Sequence, residues 1–299
     1  MLNKLIIWTM PLVPKAMVHM VAKKYIAGDF LSDAVRVSQE LRDKEGAMTT
    51  IDVLGEFVDS KERALHEKSM SSQVIDAINS NSLKSYLSIK PTSLGLGIDE
   101  DFAYDNIKEL VDKANKLGIW VRLDMENSPY TTKTLNLYKK LRGDGYDKLG
   151  IVIQSYMRRS VDDVTNLLEY KPSIRLCKGI YREAPEIAYQ DKEEVRDNYK
   201  KLLDLMLDNG LYVGIATHDD PLIDYGRKVV AERDLDKEKY EFQMLLGVKE
   251  NRRRELLKEG HRLRVYVPFG EDWYGYSSRR LKENPNMAGQ IFKSIFIKG

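Results

Sequence analysis

Residues 149–181 read LGIVIQSYMRRSVDDVTNLLEYKPSIRLCKGIY. An apolar, β-branched run, LGIVIQSY, is followed by a helical pattern, SVDDVTNLLEY, and then by a second apolar run, SIRLCKGIY. This is the pattern of a strand, a crossover helix and a parallel strand, and its period sets the fold. Comparable runs occur as MTTIDVLGE, LKSYLSIKP, IWVRLDME, YVGIATHD, YEFQMLLG and RLRVYVPFG, so that strands are predicted to begin near residues 48, 83, 119, 149, 173, 212, 240 and 262. Their mean spacing is about 31 residues, one strand-plus-helix unit. Helical patterns such as YDNIKELVDKANKLG and EEVRDNYKKLLDLMLDNG lie between them and end in Gly, a common helix stop. Eight such units predict an α/β fold, a (βα)8 TIM barrel over residues 47–299, with its eighth helix after the last strand. A doubly wound open sheet is the alternative. The nearest thing to a dinucleotide fingerprint, SLGLGIDE, has only G-x-G and opens no helix, so it reads as a turn.

Residues 1–46 precede the first strand and are expected to form an N-terminal helical arm. One helix is predicted from about Lys15 to Ile26, and a second in DFLSDAVRVSQELRDKEG, stopped by Gly46. Pro11 and Pro14 interrupt the apolar start LIIWTMPLVPK, and no A-x-A-like cleavage site follows it, so it is not read as a signal peptide. Two readings of this start stay open: packing against the protein, or contact with a membrane interface, for which Leu5, Ile6, Ile7 and Trp8 beside Lys4 and Lys15 are suited. The expected location is cytoplasmic, with peripheral contact on the inner face of the membrane under the second reading.

Composition sets the remaining bounds. The chain has 299 residues and a net charge of +2, which gives no electrostatic case for nucleic acid. Its densest basic run, Arg252 to Arg254 in VKENRRRELLKEG, reads as a solvated helix face. The single Cys177 excludes an internal disulfide, and four scattered histidines show no metal-ligand spacing.

In a (βα)8 barrel the active site lies at the C-terminal ends of the strands. Those ends are polar: Lys90, Asp124 and Glu126, Gln154, Arg175 and Lys178, Thr217 and His218, Gln243, and Tyr266. Lys90, Arg175 and Lys178 would make the mouth positive. The last helix adds WYGYSSRRLKENPNM, residues 273–287, in which Tyr276, Arg279, Arg280 and Glu283 share one face. Paired arginines offer bidentate recognition of a carboxylate or phosphate, while Lys90 or Lys178 could instead serve as a Schiff-base lysine of an aldolase-type barrel. A barrel that only binds an amino acid is a third reading.

The ordered series LSIKPTSLG, RLDME, IVIQSY, IRLCKGIYRE, IATHD, YEFQMLLGV and RVYVPFGEDWYGYSSRRLKENPN resembles proline dehydrogenases of the short, monofunctional bacterial or archaeal type. The resemblance covers nearly the whole chain, and the Y-x-x-R-R-L-x-E-N element is specific to that family. It implies a distorted barrel with FAD at its mouth, oxidising L-proline to Δ1-pyrroline-5-carboxylate. Electrons would pass to a quinone, and the product to a pyrroline-5-carboxylate dehydrogenase. Arg279, Arg280 and Lys90 would grip the proline carboxylate, and Tyr266 and Tyr276 would wall the ring. Asp124 would pair with an arginine of the gripping set, and Glu283 would position the last helix. Arg175 would lie near the flavin N5, with Met125, Gln154, Lys178, Gly179, Ile180, Thr217 and His218 as further FAD contacts. The retained aromatic Tyr276 implies proline in preference to 4-hydroxyproline, the alternative substrate within the family. Ile180, Arg182 and Asp219 depart from the family's more frequent residues and bear on FAD affinity.

Overall fold

The structure, a computed structural model, describes residues 24–273. Eight parallel strands close into a barrel in sequence order: β1 (Met48–Val53), β2 (Ser85–Ile89), β3 (Val121–Leu123), β4 (Leu149–Gln154), β5 (Ser173–Cys177), β6 (Tyr212–Ala216), β7 (Tyr240–Leu245) and β8 (Leu263–Phe269). Closure is made by β1 on β8, with Ile51 beside Val267. The strands start within two residues of the predicted positions.

The helices are α1 (Leu31–Glu45), α2 (Lys61–Ser80), α3 (Glu100–Lys116), α4 (Ser128–Gly143), α5 (Ser160–Thr165), α6 (Lys192–Asp208), α7 (Asp220–Glu232) and α8 (Glu250–Lys258). Their starts follow local chemistry. Ser60, Asp99 and Asp191 accept N-terminal N–H groups of α2, α3 and α6. The predicted second helix of the arm is α1, ended by Gly46 at φ 71°; it packs on β1 and β8. The predicted first helix lies almost wholly outside the described residues, and its last part, residues 24–26, is turn and bend. SVDDVTNLLEY is less helical than expected. Only Ser160–Thr165 is α-helix, followed by a 3-10 turn at Leu168–Tyr170; β-branched Val161, Val164 and Thr165 and the short polar Ser160, Asp162 and Asp163 disfavour a longer one. SLGLG is a turn, as expected, entered from a 3-10 segment at Pro91–Leu94, but contrary to expectation the segment does open a helix: Asp99 caps α3, which begins at Glu100.

The strands alternate with a period of two, and the barrel inverts the usual placement of polarity. Outward residues such as Ile51, Leu87, Val121, Ile151, Ile174, Val213, Phe242 and Val265 form the apolar layer under the helices. Inward residues are polar and bond across the barrel. Arg122 reaches from β3 to the Ser173 carbonyl at 2.6 Å. Arg264 on β8 bonds Glu241 at 2.8 Å and the Thr49 carbonyl at 2.7 Å, and its guanidinium lies 3.4 Å from the Tyr86 ring centre. Gly150 and Gly214 make room for this interior, because a Cβ at either would overlap the side chain of Arg122 or Gln243.

The run Arg252 to Arg254 is not a uniformly solvated face. Arg253 is buried and its guanidinium makes two 2.8 Å bonds to Glu45 of α1. A buried arginine needs a carboxylate, and Glu45, distant in sequence, supplies it.

Candidate active site

The C-terminal strand ends bring the polar residues together. At the centre is Arg175, the middle residue of β5, 7% exposed. Its Nε donates to Gln243 Oε1 of β7 at 2.7 Å, and its Nη1 to Asp124 Oδ1, just past β3, at 2.6 Å. Asp124 is held from two further sides, by the Ser88 hydroxyl of β2 at 2.8 Å and the Tyr266 hydroxyl of β8 at 2.9 Å. The Arg175 guanidinium also lies 5.1 Å from the centre of the Tyr266 ring. Arg175 Nη2 is buried and has no partner among the described residues. Other buried donors share that state, Arg122 Nε and Arg253 Nη1 among them; Arg175 Nη2 differs in lying at the C-terminal strand ends, where a bound group could meet it.

Beside this network, Lys90 Nζ donates to Asp52 Oδ1 at 2.6 Å. Both are buried. Burial works against the Lys90 charge, but Asp52 and Asp124 outweigh it and hold the ammonium up to about 12. Burial pushes the Asp52 carboxyl up to about 6, against the pull of Lys90. Taken alone the two shifts oppose each other, since one favours the ion pair and the other a neutral acid; the 2.6 Å contact favours the ion pair near neutral pH. A lysine held protonated in this way is a binding group and is unsuited to Schiff-base chemistry, which needs a free amine.

The third cluster lies beyond β5 and β6. Lys178 Nζ bonds Asp219 at 2.8 Å, and Asp219 also takes two bonds from Arg196 of α6, at 2.7 and 3.0 Å. Burial would raise the Asp219 carboxyl, yet Arg196 and Lys178 hold it down to about 2. Thr217 Oγ1 accepts the Asp219 N–H at 3.1 Å, and His218 Nε2 accepts the Leu245 N–H at 2.9 Å, tying the ends of β6 and β7. Gln154 Nε2 donates to the Met125 carbonyl at 2.9 Å, while its Oε1 is buried without a partner among the described residues. Gly179 has φ 106°, and a Cβ there would overlap the Tyr156 ring, so only glycine lets this loop pass so close. Glu183 anchors the same loop by accepting the N–H and hydroxyl of Ser128, both at 2.7 Å, at the start of α4.

Of the residues singled out from sequence, Lys90, Asp124, Met125, Gln154, Arg175, Lys178, Gly179, Ile180, Thr217, His218 and Tyr266 stand on this end of the barrel. Tyr276, Arg279, Arg280 and Glu283 lie outside the described residues. Among the described residues Asp124 bonds Arg175, Ser88 and Tyr266; its expected pairing with Arg279 or Arg280 lies outside them. One expectation changes: the mouth is not an excess of bare cations, since Lys90, Arg175 and Lys178 each carry an aspartate partner. Gln243, named among the polar strand ends but given no role, joins the network, as do Asp52 and Ser88, which were not singled out. Asp52 had a signal, as the acid in the apolar run TTIDV; Ser88 had little.

The opposite end of the barrel has a concavity of about 770 Å³ between Met48, Lys84, Tyr86, Trp120 and Arg262. The buried guanidinium on its wall, Arg264, is already bonded to Glu241 and the Thr49 carbonyl. The buried Arg175 donor that lacks a partner is at the C-terminal end, where barrel enzymes place their chemistry.

The proline dehydrogenase family model matches residues 34–293. Proline dehydrogenase 2 of Bacillus subtilis (strain 168) is 39% identical over 277 residues, spanning 93% of this chain and 91% of the relative. The Deinococcus radiodurans proline dehydrogenase is 36% identical over 282 residues, 93% and 90% of the two chains. Among solved structures, proline utilization A from Bdellovibrio bacteriovorus, inactivated by N-propargylglycine, superposes with a TM-score of 0.84 at 24% identity, over 94% of this chain. A proline utilization A mutant from Bradyrhizobium japonicum gives 0.74 at 19% identity, over 90%. This chain spans only 34% and 32% of those two longer proteins, and the likeness to them is one of fold. On the family match and the similarity to relatives over nearly their whole length, the chain belongs to the proline dehydrogenase family and is an oxidoreductase.

Proposed function

We propose that the chain oxidises L-proline to Δ1-pyrroline-5-carboxylate with FAD held at the C-terminal mouth of the barrel. The observation that carries this reading is Arg175: a buried guanidinium fixed by Gln243 and Asp124, with Nη2 left without a partner among the described residues. The residues present fit a flavin. Its ring edge offers both acceptors and a donor, matching Arg175 Nη2 and Gln154 Oε1, which have no partner among the described residues. Gly179, at φ 106° and packed on the Tyr156 ring, fixes the course of the loop that follows Lys178. Met125, Gln154, Arg175, Lys178, Gly179, Ile180, Thr217 and His218 would hold the group.

FAD supplies the hydride acceptor, the hard part of the chemistry. The chain supplies orientation and charge. Lys90, kept charged by Asp52, binds the substrate carboxylate together with Arg279 and Arg280. Tyr266, fixed by its bond to Asp124, walls the ring with Tyr276, and Glu283 positions the helix that carries the arginines. Arg175 presents positive charge where the electron-rich product state forms, and Asp124 holds it there. The catalytic unit is the barrel of residues 47–299, with residues 1–46 as an arm. A quinone takes the electrons, and a pyrroline-5-carboxylate dehydrogenase takes the product. No helix among the described residues is long and apolar enough to cross a membrane, so a lipid quinone would be reached by peripheral contact through the apolar stretch at residues 5–13.

The purified protein is expected to hold or take up FAD and to turn over L-proline with a quinone. Failure to reconstitute FAD, or FAD that proline does not reduce, contradicts the reading. Deleting residues 1–13 separates the two roles of the start of the chain: selective loss of vesicle binding and of turnover with a lipid-embedded quinone supports membrane contact.

A further inference from the structure

A second set of hydrogen bonds, outside the Arg175 network, joins the loops that leave β1, β2 and β3. Phe57, in the loop after β1, has a φ of 52°. A bulky side chain rarely adopts this left-handed conformation, so something must hold it. Burial of the ring does not, since Phe57 is 41% exposed. Its ring meets Tyr130 of α4, with centres 5.9 Å apart. The Phe57 N–H donates to Thr92 Oγ1 at 2.9 Å.

Thr92 is fully buried and aimed in turn by Glu126, which is 1% exposed. Glu126 Oε2 accepts the Thr92 N–H at 2.9 Å, and Glu126 Oε1 accepts the Thr92 hydroxyl. One carboxylate takes both donors of Thr92, which leaves an Oγ1 lone pair for Phe57. The three residues lie just beyond Asp52, Lys90 and Asp124 in the chain, and each bond joins two different loops.

We propose that Glu126 is a positioning residue for substrate binding: acting through Thr92, it fixes the Phe57 backbone and the three loops, and with them the relative placement of Asp52, Lys90 and Asp124. Glu126 need not touch the substrate. The inference rests on the reading above that Lys90 meets the proline carboxylate.

The test is steady-state kinetics of the full-length, FAD-loaded enzyme with L-proline, together with FAD content and thermal midpoint, for Thr92→Val, Thr92→Ser, Glu126→Gln and Lys90→Met. Thr92→Val removes Oγ1 at nearly constant shape and is expected to raise KM about tenfold with kcat little changed. Thr92→Ser, which keeps the oxygen, is expected to restore the wild-type KM. Glu126→Gln keeps an acceptor for the N–H but loses the one for the hydroxyl, and is expected to fall between the two. It carries the test if Thr92→Val does not fold. Wild-type KM in Thr92→Val and Glu126→Gln, with only the thermal midpoint lowered, overturns the proposal. So does a Thr92→Ser variant as impaired as Thr92→Val. If Lys90→Met leaves KM unchanged, the placement of the substrate is wrong; if it raises KM while the other variants do not, only the positioning role fails.

Discussion

Asp52 and Lys90 show why the charges at the barrel mouth must be treated as pairs. The two are buried and in contact at 2.6 Å. Removing one partner leaves the other charge desolvated, at a cost of about 3–5 kcal/mol, while removing both can be nearly neutral. Urea unfolding of Asp52→Asn, Lys90→Met and the double variant should therefore show the double variant more stable than Asp52→Asn. Additive losses would contradict the pairing. Glu126 gives a different signature. Burial, opposed by its bonds from Thr92, raises its carboxyl from 4.5 to about 7. The folded protein then binds that proton more tightly than the unfolded chain does. The contribution is fully present below about pH 4.5 and is lost as pH rises through about 7. Glu126→Gln lacks this titration, so between about pH 5 and 8 wild type should lose stability relative to the variant, by up to about 3 kcal/mol. Parallel stability profiles for the two would refute the shift.

The loops between elements are shaped by close approaches. Gly179 combines a φ of 106° with contact against the Tyr156 ring. Gly179→Ala must displace the ring or the loop, and is expected to weaken FAD retention while the barrel still folds. Unchanged FAD content in the purified variant would place the cofactor elsewhere. The elements themselves were legible in sequence because β-branched runs, glycine stops and acidic caps carry local signals: β1, β4, β5, β6 and β7 begin at the residues predicted for them. Strand ends were legible for the same reason, since a lysine, an arginine or an aspartate after an apolar run is conspicuous. Pairings were not. Lys90 and Asp52 are 38 residues apart, and Arg253 and Glu45 are 208 apart. Such partners are chosen by barrel register and helix packing, which no local pattern encodes. The αL conformation of Phe57 was equally hidden, because it depends on Thr92 and Glu126.

In the whole molecule, apolar packing lies between the barrel and its helices, and the barrel interior holds a polar scaffold. Toward its lower end Arg122 and Arg264 bond to backbone carbonyls and, for Arg264, to Glu241, while Arg122 Nε and Glu241 Oε2 stay without a partner among the described residues. Toward its upper end Arg175 Nη2, Gln154 Oε1 and Asp52 Oδ2 are in the same state. The upper end is set apart by its place, at the C-terminal ends of the strands where barrel enzymes carry their chemistry. The account depends most on Arg175, whose planar fork serves Gln243 and Asp124 and still offers Nη2. A lysine, as a point charge on a flexible stem, cannot do all three. The most direct measurement is anaerobic mixing of FAD-loaded protein with L-proline while flavin absorbance is followed, for wild type and Arg175→Lys. Wild type is expected to bleach, and Arg175→Lys to retain FAD but bleach about a hundredfold more slowly at saturating proline, the effect of losing one preorganised donor. Wild-type protein that does not bleach, or a variant that bleaches at the wild-type rate, would contradict the account.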